Sequence, residues 1–219
     1  MALEPHDLLN INPKDMISHS LVPEWVGQSL ETAPLVVVRR IHAPIGQTAI
    51  GIRGKERNQR FAAFLPKSCV IKQIKPEELT RRNLWKDKQS LVYTAMDSVG
   101  EIFKVYRLSW GPGGSVGFEL ASGVETVTPK SDLDVIMRAP EPVPVYMAMD
   151  VVEQFKKIPI RIDVQVETPA GGFSLSEYSR NTGPVLLKTK FGPKLSSNPW
   201  ELSNAFPNVS NGIIPLKRQ

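Results

Sequence analysis

The cleanest alternation of apolar and polar positions lies in PIRIDVQVETP, residues 159–169. Ile160, Ile162, Val164 and Val166 share one face, and Arg161, Asp163, Gln165 and Glu167 share the other, which predicts a half-buried strand. LVVVRR (35–40) and QTAIGIRG (47–54) predict two more strands, with Pro44 and Gly46 marking the turn between them. CVIKQIKP (69–76), SDLDVIMRAP (131–140) and GPVLLKTK (183–190) predict further strands, the last being the final one of the chain. Helical spacing appears in LVYTAMDSVGEIF (91–103) and VYMAMDVVEQFKKI (145–158). PEELTRRNLW (76–85) reads as a helix start, with a proline first and acids in the first turn. KERNQRFAAFL (55–65) reads as a helix with a basic face, and GFSLSEYSR (172–180) opens another. Residues 1–34 read as a short helix plus loops, 106–123 as a glycine-rich connection, and the tail after Trp200 as loop.

The elements predict an α+β fold. A small basic N-terminal α/β domain, residues 1–88, precedes a domain at 89–219 with a mixed sheet flanked by helices. The polar stretch KDKQSLV (86–92) marks the boundary. With 219 residues the chain is long enough for a substantial core. Charge divides unevenly along it. Residues 36–90 carry 13 Lys and Arg against 4 Asp and Glu, whereas the remainder is mildly acidic. A basic segment of this kind suits an anionic partner: nucleic acid, a polyphosphate nucleotide or an acidic protein. One cysteine, Cys69, excludes an internal disulfide and a cysteine-rich zinc site, and three scattered histidines have no ligand spacing. No apolar run approaches the length that spans a bilayer, and the N-terminus has no signal-peptide pattern, so the expectation is a cytoplasmic protein.

The candidate chemistry is carboxylate chemistry. Asp132 and Asp134 stand two apart, on one face if the strand includes both. Paired carboxylates there repel unless a cation lies between them, and Mg²⁺ is commonly held by one or two carboxylates plus substrate phosphates. SDLD could equally be a solvated cap. Asp163, on the polar face of the strand at 159–169, supplies a third carboxylate, preferred over Glu167 because it lies nearer the strand centre. The bland alternative is an exposed Asp163 paired with Arg161. Three such groups on neighbouring strands fit metal-assisted phosphoryl transfer. WGPGGSVG (110–117) offers backbone N–H groups to phosphate oxygens, with Ser115 adding a hydroxyl, although it matches neither a Walker A loop nor a dinucleotide fingerprint.

A Gly-Ser turn followed by a DxD strand and a later acidic strand resembles the nucleotidyltransferase superfamily. Gly114–Ser115 supply the turn and Asp132–Leu133–Asp134–Val135 the second motif. The 16 residues between them, 116–131, exceed the usual spacer, and FELASG is expected to form an extra hairpin or loop. A closer resemblance covers nearly the full length: PHDLL (5–9), VVVRR (36–40), GIRGKERNQRFAAFL (51–65), WGPGGSVGFELASG (110–123), SDLDVIMRAP (131–140), DVQVETPAGG (163–172), VLLKT (185–189) and NPW (198–200). These stretches are similar to the malonate decarboxylase holo-[acyl-carrier-protein] synthases, also called phosphoribosyl-dephospho-CoA transferases.

That resemblance implies transfer of a prosthetic group from 2′-(5″-triphosphoribosyl)-3′-dephospho-CoA to a serine of the apo acyl-carrier subunit of malonate decarboxylase, with release of pyrophosphate. It implies that Asp132 and Asp134 hold Mg²⁺ or Mn²⁺, and that Asp163 completes the metal site or takes the serine proton. Gly114 and Ser115 would grip the phosphates. Arg39, Arg40, Arg53, Arg57 and Arg60 would meet either the donor's phosphates or an acidic carrier. Lys188 points into the cleft or into solvent. His6 reads as a local hydrogen-bonding residue, and Trp110 and Trp200 as packing anchors. Two other functions compete: a nucleotidyltransferase with another acceptor, such as the citrate lyase carrier, and a nucleic-acid-binding module. The scarcity of aromatics among the basic residues argues against the last, and neither a membrane nor nucleic acid is an expected partner.

Overall fold

The computed structural model describes residues 2–56 and 58–202; Arg57 and most of the tail lie outside them. Two sheets organise the α+β fold. The first consists of β1 (Leu8–Ile11), β2 (Leu35–Val38), β3 (Gln47–Arg53), β4 (Arg60–Pro66) and β5 (Val70–Ile74). Its order is β4-β3-β2-β1-β5, antiparallel throughout. Leu9, Ile11, Val36, Val38, Ile50 and Ile52 bury one face under Val26 and Leu30 of α1 (Glu24–Thr32). The alternate residues Leu8, Leu35 and Ile74 turn the other way and join the main core. β1 is therefore apolar on both faces. Residues 1–34 were expected to hold only a helix and loops because LLNI shows no alternation; burial on both sides removes the polar half of the pattern.

The second sheet consists of β6 (Ser109–Pro112), β7 (Leu133–Arg138), β8 (Ile162–Glu167), β9 (Gly172–Ser174), β10 (Val185–Thr189) and β11 (Gly192–Ser196). Its order is β11-β10-β9-β8-β7-β6, with β7 and β8 parallel and every other pair antiparallel. The parallel pair needs a crossover, which α5 (Val145–Phe155) provides. Leu133, Val135, Met137, Val164 and Val166 share one core with apolar residues of α3 (Leu91–Val105), α4 (Gly114–Ser122) and α5. A short α2 (Pro76–Arg81) follows the first sheet, and its Leu79 enters the same core. α6 (Leu175–Ser179) follows β9 directly.

Four expectations need correction. Residues 60–66 form β4 instead of a helix. The hairpin register sets Ile50 opposite Ala63 and Ile52 opposite Phe61, and burial of Ala63 and Leu65 outweighs the helical appearance of the charged stretch before them. Residues 106–123 are not a loose connection, and FELASG is no hairpin. They form β6 and α4, which Gly123 ends in the left-handed conformation, φ 76°. GPVLLKTK is not the last strand, because it turns back into β11. The two tryptophans do anchor: Trp110 stacks on Phe103 at 5.7 Å, and Trp200 Nε1 donates to the Ala139 carbonyl at 2.9 Å. Among the described residues no helix is long and apolar enough to cross a membrane.

Candidate active site on the polar face of β7 and β8

Because β7 and β8 are parallel and in register, Asp134 lies beside Asp163, Ile136 beside Gln165, and Arg138 beside Glu167. Their partners Leu133, Val135, Val164 and Val166 are locked in the core, so this face cannot rotate away. Asp132 precedes the strand, just outside the ladder. Asp134 remains accessible to solvent, yet protein crowds its carboxylate. That crowding first, then the facing charges of Asp163 and Asp132, push its carboxyl above the ordinary value, against the pull of Arg53 and His6. Asp163 also accepts from Arg161 Nη2 at 3.1 Å, so the ion pair expected as its bland alternative is present.

The turn between β6 and α4 sits directly over Asp134. Gly113 N–H donates to the Asp134 carbonyl at 2.8 Å. Gly114 adopts φ 54°, and a Cβ there would lie 2.8 Å from Asp134 Cγ and closer still to Oδ2. Ser115 is buried, and its carbonyl accepts from Thr126 Oγ1 at 2.9 Å. Thr126 belongs to a loop pinned by Glu119, a buried carboxylate that accepts from Lys88, Tyr93 and the N–H groups of Thr126 and Val127 at 2.6–2.8 Å. Burial would raise Glu119, but these donors together bring it to about 2. The long spacer between the two motifs is thus a helix and a tethered loop.

Among the described residues no group of three or more His, Cys, Asp or Glu side chains is arranged to hold an ion alone. A hard cation does not require that: Mg²⁺ commonly takes one or two carboxylates and completes its shell with water and substrate phosphate oxygens. Asp134 beside Asp163, mutually repelling, is an oxygen donor set that fits such an ion.

The first sheet covers the far end of the same polar face. Glu167 is almost wholly buried, bonded to Arg40 Nη2 and to His6 Nε2, the latter at 3.1 Å. Burial pushes Glu167 up, but His6 and Arg40 outweigh it and hold the carboxyl below its ordinary value. Glu167 is therefore engaged away from Asp134. Arg138 bridges Asp7 at 3.0 Å and Glu77 at 2.9 Å, joining β7 to the residue before β1 and to α2. Asp7 is fully buried; burial raises its carboxyl despite bonds from Glu4 N–H, Gln73 and Arg138.

Of the predicted arginines, Arg53 lies within electrostatic reach of Asp134, and Arg39 and Arg40 line an adjoining cleft. Arg60 faces Arg53 across the hairpin and donates to the Gln59 carbonyl; Arg57 lies outside the described residues. Lys188 enters the cleft and donates to Gln165 at 3.2 Å. His6, read from the sequence as a local hydrogen-bonding residue, bonds instead to the distant Glu167, and sequence reasoning missed Gln165 and the Lys190–Phe191 turn. His6 holds φ 73°, unusual for a non-glycine residue, and its N–H donates to Val38.

Comparison with known proteins shows the family. Residues 82–199 match the family described as phosphoribosyl-dephospho-CoA transferase MdcG C-terminal domain, and residues 4–76 match the corresponding N-terminal domain. A phosphoribosyl-dephospho-CoA transferase of Pseudomonas aeruginosa is 37% identical over 201 residues, covering 91% of this chain and 95% of the relative. Those of Pseudomonas syringae pv. tomato (38% identical, 91% and 94% covered) and Azotobacter vinelandii (34%, 90% and 94%) are similar. No solved structure matches. Spanning both family domains and nearly the whole length of these relatives, the chain belongs to the phosphoribosyl-dephospho-CoA transferase family, and is an enzyme of that class.

Proposed function

We propose that this chain transfers phosphoribosyl-dephospho-CoA from 2′-(5″-triphosphoribosyl)-3′-dephospho-CoA to a serine of the apo acyl-carrier subunit of malonate decarboxylase. The observation that carries the reading is the registered pair Asp134–Asp163 under the Gly113–Gly114 turn. The serine oxygen attacks the α-phosphorus, the bond from that phosphorus to the α,β-bridging oxygen breaks, and pyrophosphate leaves. The hydroxyl proton passes to a carboxylate oxygen of the Asp134–Asp163 pair. Backbone N–H groups at Gly114 and Ser115 orient the phosphate oxygens, and Arg53 adds positive charge. Asp134 and Asp163, with Asp132 close enough to add its charge, would hold Mg²⁺ or Mn²⁺ together with substrate phosphate oxygens; the ion when bound supplies neutralisation of the triphosphate charge. What the protein contributes is positioning and a fixed field.

Intact-mass measurement of an apo malonate decarboxylase carrier, incubated with enzyme, Mg²⁺ and donor, tests the reaction. The expected gain is the donor minus pyrophosphate, absent with Asp134→Ala and absent in excess chelator. A fully active Asp134→Ala enzyme overturns the site, and transfer persisting in chelator overturns the metal. A gain on a citrate lyase carrier alone reassigns the acceptor.

A further inference from the structure

Between the end of β2 and the β10–β11 hairpin lies a cleft of about 730 Å³, a size typical of small-ligand sites. Its lining holds four Lys and Arg residues and two histidines, and no Asp or Glu. Arg40 is engaged by Glu167. Arg39, Lys188 and Lys190 have no carboxylate within ion-pair range among the described residues, so three cations converge unneutralised. One wall is aromatic. Phe191 is 68% exposed and stacks on His42, with ring centroids 5.7 Å apart and planes 24° apart. Lys190 Nζ sits 5.3 Å from the Phe191 ring. A backbone bond from His42 N–H to the Lys190 carbonyl, 3.0 Å, ties the two walls, so the cleft is formed before any ligand arrives.

Uncompensated cations beside an exposed flat ring suit a ligand that has both phosphates and an aromatic base. We propose that this cleft holds the adenosine 5′-diphosphate portion of a nucleotide, with adenine against Phe191 and the diphosphate among Arg39, Lys188 and Lys190. The inference rests on the proposed function and deepens it. Dephospho-CoA contains such a segment, which does not react. Gln165 at the cleft is two strand positions from Asp163, about 7 Å along β8. One face of one sheet thus presents a reacting site and a separate holding site to one extended molecule. An acidic carrier would also favour the cations, but a concave site with an exposed ring favours the nucleotide.

The test is calorimetric titration of the full chain with ADP, which needs no transfer. ADP should bind wild type and Asp134→Asn equally. Lys190→Glu and Phe191→Ala, both at exposed positions, should each weaken it about tenfold or more, the loss of a charged hydrogen bond or a base stack. AMP and inorganic pyrophosphate should each bind less tightly than ADP. Unchanged melting temperatures check the fold. Absence of ADP binding overturns the proposal, as does ADP binding that Asp134→Asn abolishes and Lys190→Glu spares. So does a KM increase for the carrier alone in Lys190→Glu with ADP affinity unchanged, which would make the cleft a carrier dock. Failed transfer with ADP still bound refutes the proposed function only, and intact transfer without ADP binding refutes this inference only.

Discussion

Gly114→Ala perturbs the carboxylate pair through the backbone, without touching a charge. Two costs follow from the structure. The residue holds φ 54°, where an alanine is less favourable by about 1–2 kcal/mol. The new methyl would lie 2.8 Å from Asp134 Cγ and 3.1 Å from its Cβ, so the Asp134 side chain must move. The first cost lowers the melting temperature by roughly 2–8 °C, at about 2–4 °C per kcal/mol for a chain of this size. The second displaces a group that the proposed reaction places at the transferred phosphate, and an ångström of misplacement there costs about 10²-fold in rate. Gly123→Ala separates them. Gly123 also holds positive φ, 76°, but a Cβ there meets nothing within 4 Å. The carrier mass-gain assay and a thermal melt, run on both variants, should show similar destabilisation and a rate loss in Gly114→Ala alone. Equal activity of the two variants would refute the argument that the turn sets the position of Asp134.

Three further outcomes are expected. In chelator, the Asp134 carboxyl followed by ¹³C NMR should titrate above the ordinary aspartate value, and Asp163→Asn should lower it; titration at or below that value contradicts the crowded, like-charged site. Glu119→Gln should cost about 1–3 kcal/mol in urea unfolding at pH 7, because the buried acceptor loses the charge that Lys88, Tyr93 and two backbone N–H groups bond to. Because the folded Glu119 lies near 2, below its ordinary 4.5, its stabilisation is complete above the unfolded value and is lost as pH falls from there through 2; the variant should lose less stability across that window. Arg138→Ala should destabilise by about 3–5 kcal/mol, since it strands Asp7 and Glu77 without their shared cation, and a loss under 1 kcal/mol by the same unfolding assay would show that the bridge is weak.

Elements whose burial is one-sided were legible from the residues alone. β8 alternates because one face meets the core and the other a cleft, and α3 and α5 show helical spacing for the same reason. β1, apolar on both faces, and β4, whose pairing with β3 overrides local preference, were not. The site divides similarly. Asp132, Asp134 and Asp163 stood out by residue type and spacing, as did the glycine turn. Their alignment did not, because the choice between Asp163 and Glu167 turns on the register of a parallel pair joined by a crossover helix.

The sequence by itself determined the family, the α+β class, the carboxylates and the basic character of the N-terminal half, all properties of residue identity and short-range order. Only the tertiary structure decided that His6 and Arg40, 161 and 127 residues before Glu167 in sequence, would neutralise that carboxylate, and that Lys188, Lys190 and Phe191 would face Arg39 across a cleft. Such contacts arise because two sheets share one core. Which distant residues meet is set by how those sheets pack, and no local pattern along the chain encodes it.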